Sequence, residues 1–456
     1  MIKQDDILDI KIEKVVFEGA GLAKAKEKAI FIKGVLPDEV VRARAIRVNK
    51  NFISGSLIEV MQASKNRIKP VCPYYKPCGA CDFAFIDYDY QTELKEKIIK
   101  EIFQNFDVEF KPVIKSPKTK NYRMKTQYPV SITKNSKRII IGYYKEKTHE
   151  AVNIKYCPIQ PSVIDEIAEF IRNNWILGCY IEKKEKGLLR HVNFRSSNTN
   201  KDLLLTFVLN ADEKGLNGFK NEINDFACAI IKKFPSIKGV FVNLNNKKTN
   251  KITGDKTILI KGEGFIFEKL EDKIYKIGGN SFFQVNPSCA SLLFNAAREL
   301  IKNKGTLLDL YGGLGTIGIF MKDKATKITL VEENEEAVCL AKENFRLNNV
   351  LKYEVFKGCA KEIMKKFLKE KRTFENIVID PPRKGSDIET LQNISKMTNS
   401  IIYISCNPMT LKRDASELIS LGFDFISIRP VDMFPDTHHI ECVAKFGKRT
   451  EKNLKK

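Results

Sequence analysis

The chain has 456 residues and a formal net charge of +22, with 78 Lys and Arg against 56 Asp and Glu, and 43% of its residues are hydrophobic. This composition excludes an intrinsically disordered chain, and the length suits about three domains. We see no apolar run long enough for a membrane span or a secretory signal. We therefore expect a monomeric, cytoplasmic protein. The positive charge favours nucleic acid as the binding partner, and the alternatives are an anionic surface or a lysine bias in composition without a binding role.

The first 62 residues alternate short β-type segments with turns rich in Gly, Lys and Asn. Candidate strands lie at 10–16, 29–32, 39–44 and 54–60, and a glycine turn lies at 19–23. About five short strands with tight turns predict a small barrel of the OB type, a shape that often binds RNA. A barrel whose lysines are merely solvated is the alternative.

Eleven cysteines in a chain without a secretory signal indicate a reducing compartment. Cys72, Cys78 and Cys81 are clustered, while Cys157 precedes a proline and Cys406 precedes Asn-Pro. The other six lie singly in apolar or helical surroundings, and we expect buried thiols at Cys179, Cys228, Cys289, Cys339, Cys359 and Cys442.

From about residue 275, helices alternate with buried strands, which predicts a doubly wound parallel α/β sheet. The strand 306–310 runs into a glycine turn that begins at Tyr311, and the next strand ends on Glu332. Glycines let the backbone approach a nucleotide closely, and an acidic residue there can bind ribose hydroxyls. Because Asp309 begins the turn and a third glycine is missing from the usual place, S-adenosylmethionine (SAM) is favoured over a dinucleotide.

Two chemically active residues follow buried strands in this half. The strand 376–379 ends on Asp380-Pro-Pro-Arg383, and the strand 401–404 ends on Ser-Cys406-Asn-Pro. The carboxyl ends of parallel strands line the ligand crevice, although Asp380 could instead cap a helix and Cys406 could be a structural thiol. A thiolate added to carbon 6 of uracil would activate carbon 5 for methylation. An amino-methyltransferase is the rival, but Arg383 replaces the aromatic residue that it would need.

Methylation of uracil at carbon 5 also requires a base to remove the carbon 5 proton. The segment 432–441 offers candidates, because His438, His439 and Glu441 lie close together in it. A metal site made of these three residues is the alternative, but adjacent histidines on one loop point apart.

Four motifs occur in the order and spacing of the RNA 5-methyluridine methyltransferases of the RumA/TrmA type. They are Asp-Leu-Tyr-x-Gly-x-Gly-Thr from 309, Asp-Pro-Pro-Arg-x-Gly from 380, Ser-Cys-Asn-Pro from 405 and Asp-Met-Phe-Pro-x-Thr-x-His-x-Glu from 432. The resemblance implies that Cys406 is the nucleophile and Glu441 the base. It also implies that SAM contacts Gln284, Tyr311, Glu332 and Asp380. Thr316 would be a lesser contact.

The N-terminal half resembles the same family. The family's ligands for a 4Fe–4S cluster are similar to the pattern Cys72-x5-Cys78-x2-Cys81 with Cys157 much later in the chain. A zinc site made of the same four cysteines is the alternative. Ala84 stands where the family usually has glutamine, which affects a local contact. The segments 121–125 and 187–192 look similar to RNA-facing segments, although His191 could be a packed core residue.

The resemblance divides the chain into a TRAM-type RNA-binding barrel (1–62), a central α+β domain with the Fe–S ligands (63–270), a SAM-dependent Rossmann-like methyltransferase domain (271–448) and a basic tail (449–456). Members with a TRAM domain tend to modify 23S rRNA. We therefore expect an enzyme that transfers a methyl group from SAM to carbon 5 of a uridine in 23S rRNA. The alternatives are a tRNA uridine methyltransferase and a non-catalytic RNA-binding protein.

Overall fold

The N-terminal strands form a small closed barrel in the computed structural model, which describes residues 2–133 and 135–449. The strand order is β1-β5-β6-β4-β3-β2. Because β1 pairs with β5 and leads directly into β2, which pairs with β3, the sheet closes on itself. Alternate residues point inward and form a core of Ile, Val and Ala side chains. The strands are β1 (Ile7–Lys11), β2 (Lys14–Val15), β3 (Ala20–Ala25), β4 (Lys28–Lys33), β5 (Val40–Val48) and β6 (Phe52–Gln62).

The middle of the chain forms a second six-stranded sheet, of order β13-β12-β11-β10-β8-β9. One face of this sheet packs on helices in a core that includes Trp175, whereas the other face carries a patch of polar side chains. The elements from the cysteine segment to this sheet's last strand are α1 (Tyr88–Ile102), β7 (Glu109–Phe110), β8 (Lys125–Ile132), β9 (Ile139–Ile141), α2 (Ser162–Asn174), β10 (Leu189–Ser196), β11 (Leu203–Leu209), α3 (Glu213–Asn217), α4 (Lys220–Lys233), β12 (Ile237–Leu244) and β13 (Lys256–Gly262). A hairpin of β14 (Phe265–Leu270) and β15 (Lys273–Gly278) follows.

The third sheet confirms the predicted α/β architecture, with strand order β18-β17-β16-β19-β20-β22-β21-β7. Its strands from β18 to β20 are parallel, and β22 runs antiparallel to β20. The chain passes from β16 to both sides of the sheet, which creates a ligand crevice at the strand ends. The elements are α5 (Pro287–Glu299), β16 (Gly305–Leu310), α6 (Thr316–Phe320), β17 (Ala325–Glu332), α7 (Glu335–Leu347), β18 (Tyr353–Lys357), α8 (Ala360–Lys369), β19 (Asn376–Ile379), α9 (Ile388–Ile394), β20 (Ser400–Ser405), α10 (Pro408–Ser420), β21 (Phe423–Val431) and β22 (Glu441–Lys448).

The expectation of six buried lone thiols is wrong for part of the set. Cys179, Cys289 and Cys442 are buried and Cys228 is half-buried. Cys339 and Cys359 are exposed, because Cys339 lies on the outer face of α7 and Cys359 directly precedes α8. In the described part of the chain, no helix is both long and apolar enough to cross a lipid bilayer. Apart from Arg449, the expected basic tail lies outside the described residues.

Candidate active site

Sheet topology brings Asp380, Cys406 and Glu441 to one edge of the third sheet. Asp380 follows β19 and Cys406 follows β20, and these strands are parallel neighbours. Glu441 begins β22, which is antiparallel to β20, and Ser405 lies opposite Cys442 in that pairing. The thiol and the two carboxyl groups therefore meet where β20 ends, as expected for side chains at the mouth of such a sheet.

Burial at this edge raises the pKa values of its acids and of its thiol. Glu441 is only 4% exposed. Burial and then the charge of Asp380 raise its pKa well above the usual value, and Arg383 has an opposing effect. Burial and then Asp309 raise the pKa of Asp380 to about 7. For Cys406, burial and then the charges of Glu441 and Asp380 raise the thiol pKa to about 12. In the site without substrate, the neutral forms of the Cys406 thiol and of the Glu441 carboxyl group are therefore favoured.

The glycine turn after β16 presents open backbone toward the crevice. Tyr311, Gly313 and Gly315 have φ angles of 64°, 53° and 76°. A Cβ atom at Gly313 would meet nothing within 4 Å, so the backbone there has room for a ligand. The Gly313 N–H donates to Glu332 Oε2 at 3.0 Å, and the Asn334 N–H donates to Glu332 Oε1 at 2.8 Å. The turn and the acidic end of β17 thus form one cradle.

The other predicted cofactor residues surround this cradle. Tyr311 bonds through its hydroxyl to Ser386 Oγ at 3.1 Å, and Thr316 is the first residue of α6. Gln284 is 8% exposed, and its side-chain amide makes no hydrogen bond to another described residue. The donors and the acceptor of this amide are therefore free to contact a ligand. Asp309 is the innermost acid of the cradle, because its Oδ2 accepts the Gly318 N–H at 2.8 Å and burial raises its pKa to about 7.

The loop 432–440, which leads into Glu441, is held by residues from far upstream. The carboxylate of Asp82 accepts the backbone N–H of His438 at 2.9 Å, and its Oδ2 lies 2.6 Å from His438 Nδ1. Gln91 exchanges two hydrogen bonds with Asp436, at 2.9 and 3.0 Å. Sequence reasoning missed these partners, although two histidines and several acids in one short loop signal a need for them.

A buried ion pair anchors the start of the same loop. Lys95 Nζ lies 2.6 Å from Asp432 Oδ1, and both side chains are 0% exposed. Lys95 also donates to the Phe434 carbonyl at 3.1 Å. The ion pair of Asp432 with Lys95 therefore fixes the position at which this loop begins.

The barrel reaches the same place through one glycine. Gly19 has a φ of 78°, and a Cβ atom there would lie 2.8 Å from Phe83 Cε1 and 3.1 Å from His438 Cβ. No larger residue fits without displacing one of these neighbours. The barrel, the cysteine segment and the loop before Glu441 therefore converge at Gly19, Asp82 and His438.

Four cysteines converge beside this junction. Burial has the largest effect on the pKa of the Cys81 thiol and raises it. Nearby charges raise it further, and they come from an acid and the other three cysteines: Cys157, Asp436, Cys78 and Cys72. Three of the thiols accept a backbone N–H from the residue two positions later, at Tyr74, Ala80 and Ile159. Four thiols, three of them with amide donors, suit a soft metal centre.

Among residues 2–133 and 135–449, however, no three or more His, Cys, Asp or Glu side chains form a group that could hold a metal ion. The converged thiols are therefore not a formed metal site in this structure. The alternative metal site at His438, His439 and Glu441 is also absent from that part of the chain, because Asp82 engages the His438 ring.

Comparisons with known proteins agree with this geometry. The sequence model of the tRNA (uracil-5-)-methyltransferase family matches residues 87–449. Similar proteins include an uncharacterised RNA methyltransferase of Oceanobacillus iheyensis, 34% identical with 97% of both chains covered, and one of Clostridium acetobutylicum, 33% identical with 99% of both chains covered. The solved tRNA (uracil-54, C5)-methyltransferase of Pyrococcus abyssi, in complex with S-adenosyl-L-homocysteine, is 26% identical with a TM-score of 0.75. That match covers 96% of this chain and 100% of the archaeal one.

The family model spans most of the chain, including Cys406 and Glu441, and the curated relatives match over nearly their full lengths. The chain therefore belongs to the tRNA (uracil-5-)-methyltransferase family.

Proposed function

We propose that this protein transfers a methyl group from SAM to carbon 5 of a uridine in RNA through a covalent bond to Cys406. The observation that supports it most is the meeting of a thiol with two buried carboxyl groups at one edge of the sheet, beside a glycine cradle. SAM, the methyl donor, would contact Gln284, Tyr311, Glu332 and Asp380, with Thr316 as a lesser contact.

The reaction follows from the chemistry of these side chains. Cys406 releases its proton to water, and its sulfur then forms a bond to carbon 6 as the double bond between carbons 5 and 6 opens to an enolate. The positive charge of Arg383 favours the thiolate. Carbon 5 then takes the methyl group, so that a carbon–carbon bond forms as the sulfur–methyl bond of the donor breaks. The Glu441 carboxylate removes the carbon 5 proton, and the carbon–sulfur bond breaks to regenerate Cys406. Because burial raises the pKa of Glu441 in the empty site, any proton that this carboxyl group holds must pass to water before the last step.

The RNA class has two candidates. The closed barrel at residues 7–62 resembles the TRAM domain that members acting on 23S rRNA carry, and rRNA is therefore our first candidate. A tRNA is the second candidate, because the Pyrococcus abyssi enzyme, which by its name acts on tRNA, matches 96% of this chain. The +22 charge suits either polyanion.

We propose that Cys72, Cys78, Cys81 and Cys157 are the ligands of a 4Fe–4S cluster, although their thiols do not form a metal-binding group in the described part of this structure. The convergence of four thiols and the three N–H donors to sulfur support this assignment. Methyl transfer to uracil needs no electron, so the cluster would fix the cysteine segment and, through it, Asp82. Iron and sulfide analysis of anaerobically purified protein tests the assignment, and zinc without iron or sulfide would refute it.

The test of the activity uses tritiated SAM with 23S rRNA and tRNA transcripts offered separately, followed by mapping of the product. We expect tritium at carbon 5 of a uridine in one transcript. Cys406→Ala should abolish transfer, whereas Cys339→Ala, at an exposed cysteine of α7 away from the site, should leave it unchanged. Transfer by Cys406→Ala at the wild-type rate would refute the covalent scheme.

The covalent bond has its own readout. RNA with 5-fluorouridine should remain attached to Cys406, because fluorine cannot leave carbon 5 as a proton does. Glu441→Gln should accumulate the same kind of adduct on natural RNA and lose roughly 10²- to 10⁴-fold in turnover, because it lacks the base. A wild-type protein that binds RNA and SAM but transfers no methyl group would instead indicate the non-catalytic alternative.

A further inference from the structure

The polar face of the central sheet carries two aligned rows of side chains. In the antiparallel pairing of β8 with β10, Lys125 lies opposite Arg195 and Gln127 lies opposite Asn193. Asn193 in turn lies opposite Thr206 of β11. Directly opposite residues of neighbouring strands share a face, so these five side chains form one continuous patch.

The patch holds two facing cations without a paired carboxylate. The Lys125 ammonium makes no hydrogen bond or ion pair with another described residue. Burial lowers its pKa most, and the charges of Arg195 and Arg123 lower it further, to about 7. Burial lowers the pKa of Arg195 to about 10, against an opposing effect of Glu268. Glu268 is itself occupied, because its Oε2 accepts the Asn198 N–H at 2.7 Å. Like charges placed opposite each other in a sheet destabilise the fold.

Two further polar atoms on this patch lack partners. Arg195 is 4% exposed and donates through Nη2 to the Ser281 carbonyl at 3.0 Å, but its buried Nε has no partner. Asn193 is 8% exposed, and its Oδ1 has none either. Leaving such groups unsatisfied is unfavourable, and a ligand bound on this patch would supply the missing contacts.

A cavity of about 320 Å³ lies over the patch, with Lys251, Asp255, Asn280 and Asn334 on its other side. Asp255 is the acid at this cavity, and its charge is taken up by Lys247 at 2.7 Å and Lys251 at 3.1 Å. The side of the cavity formed by the sheet therefore carries positive charge from Lys125 and Arg195.

The cavity also adjoins the candidate active site. Asn334 binds Glu332 of the cofactor cradle, and Arg195 contacts Ser281, three residues before Gln284. A group bound in this cavity would therefore sit next to the segments that carry the cofactor contacts.

We propose that this cavity binds one nucleotide of the substrate RNA close to the target uridine, with its phosphate between Lys125 and Arg195. The amides of Gln127 and Asn193 would hydrogen-bond the edge of its base, as proteins do with unstacked nucleotides of single-stranded RNA. The proposal rests on the proposed function and deepens it, since it names where the RNA is held. A phosphate there would relieve the repulsion between the two cations and pair the free Nε.

The test measures the dissociation constant of the 23S rRNA and tRNA transcripts over a range of salt concentrations. The variants are Lys125→Gln and Arg195→Gln, and the matched control is Lys365→Gln, at an exposed lysine of α8 without an ion pair. We expect each cavity variant to weaken RNA binding roughly ten- to a hundredfold, and to lower the salt slope by about one unit for the lost phosphate contact. Lys125→Arg keeps the charge and should bind RNA as the wild type does.

Two further measurements separate the possible outcomes. S-adenosylhomocysteine affinity, measured by calorimetry, should not change, and Lys125→Gln should melt no lower than the wild type, because it removes one of two facing cations. RNA binding and a salt slope equal to those of Lys365→Gln would overturn the proposal. A matching loss of S-adenosylhomocysteine affinity would also overturn it, by making the cavity part of the cofactor site. Because binding is measured independently of catalysis, a wild-type protein without methyl transfer would count against the proposed function alone.

Discussion

Asp82 and His438 are 356 positions apart in the chain, yet the Asp82 carboxylate bonds both the ring and the backbone N–H of His438, at 2.6 and 2.9 Å. Asp82 directly follows Cys81, and His438 precedes Glu441 by three residues. Through this pair, the cysteine segment and the loop that carries the proposed base form one hydrogen-bonded unit.

The first prediction concerns this pair. Asp82→Ala removes both hydrogen bonds and should lower kcat roughly tenfold or more, because the loop before Glu441 loses an anchor worth about 1.5–3 kcal/mol. The Michaelis constant for SAM should change little, since Asp82 lies outside the glycine cradle. Steady-state kinetics and a melting curve measure this. Asp89→Ala, at an exposed acid paired with Lys115, is the control, and an equal kcat in the two variants would contradict the prediction.

The second prediction concerns the reactivity of the nucleophile without substrate. Burial and two neighbouring acids raise the pKa of Cys406 to about 12, so very little thiolate exists at pH 7. Alkylation by iodoacetamide should be slow at pH 7 and rise about tenfold per pH unit up to about pH 10, because the thiolate is the reacting form. Mass spectrometry of the Cys406 peptide gives the rate, with exposed Cys359 in the same sample as the reference. A rate that is already maximal at pH 7 would show that the thiol is ionised.

The third prediction follows from the burial of Glu441. Below about pH 4.5 its carboxyl group is protonated in both the folded and the unfolded chain, and it adds no pH dependence. Above that pH the unfolded chain releases this proton, whereas burial and then Asp380 keep it bound in the fold, so the wild type loses stability as pH rises.

Glu441→Gln has no such proton to release. Its melting temperature should therefore match that of the wild type near pH 4 and exceed it by a growing margin towards pH 8. Thermal unfolding at several pH values measures the difference, with exposed Glu263→Gln as the control. A margin that stays constant with pH would mean that Glu441 ionises normally in the fold.

The fourth prediction concerns the buried ion pair of Lys95 and Asp432. Lys95→Met leaves the Asp432 charge buried and unpaired, and should reduce the free energy of unfolding by about 3–5 kcal/mol. The double variant Lys95→Met/Asp432→Leu should recover part of this loss, because no lone charge remains. Urea unfolding of the two single variants and the double variant measures the coupling. Additive effects of the two substitutions would contradict a direct interaction.

The convergence of Asp380 and Cys406 could be predicted from sequence because it depends on local patterns. Asp380 and Cys406 each follow a short apolar strand, and the ends of such strands meet at one edge of a parallel sheet. The glycine turn and Glu332 are recognisable for the same reason, since each belongs to a strand–turn–helix unit.

The supports of the centre could not be predicted in this way. The partners of Asp432 and His438 lie 337 and 356 positions away, and no local pattern indicates which distant elements will meet. The facing pair of Lys125 and Arg195 depends on the register between two strands, and a shift by one residue would turn one of them to the other face. Cys339 was misjudged because it lies on a helix whose exposed face is decided by tertiary packing.

Gly19 has a consequence for how this enzyme could exchange parts with its relatives. A turn of the N-terminal barrel forms part of the wall behind the loop that leads to Glu441, and a side chain there would collide with Phe83 or His438. A chimaera with a foreign barrel would thus keep its catalytic rate only if glycine stood at this turn. The N-terminal barrel is consequently not an interchangeable module, because one of its turns has to fit the loop before Glu441.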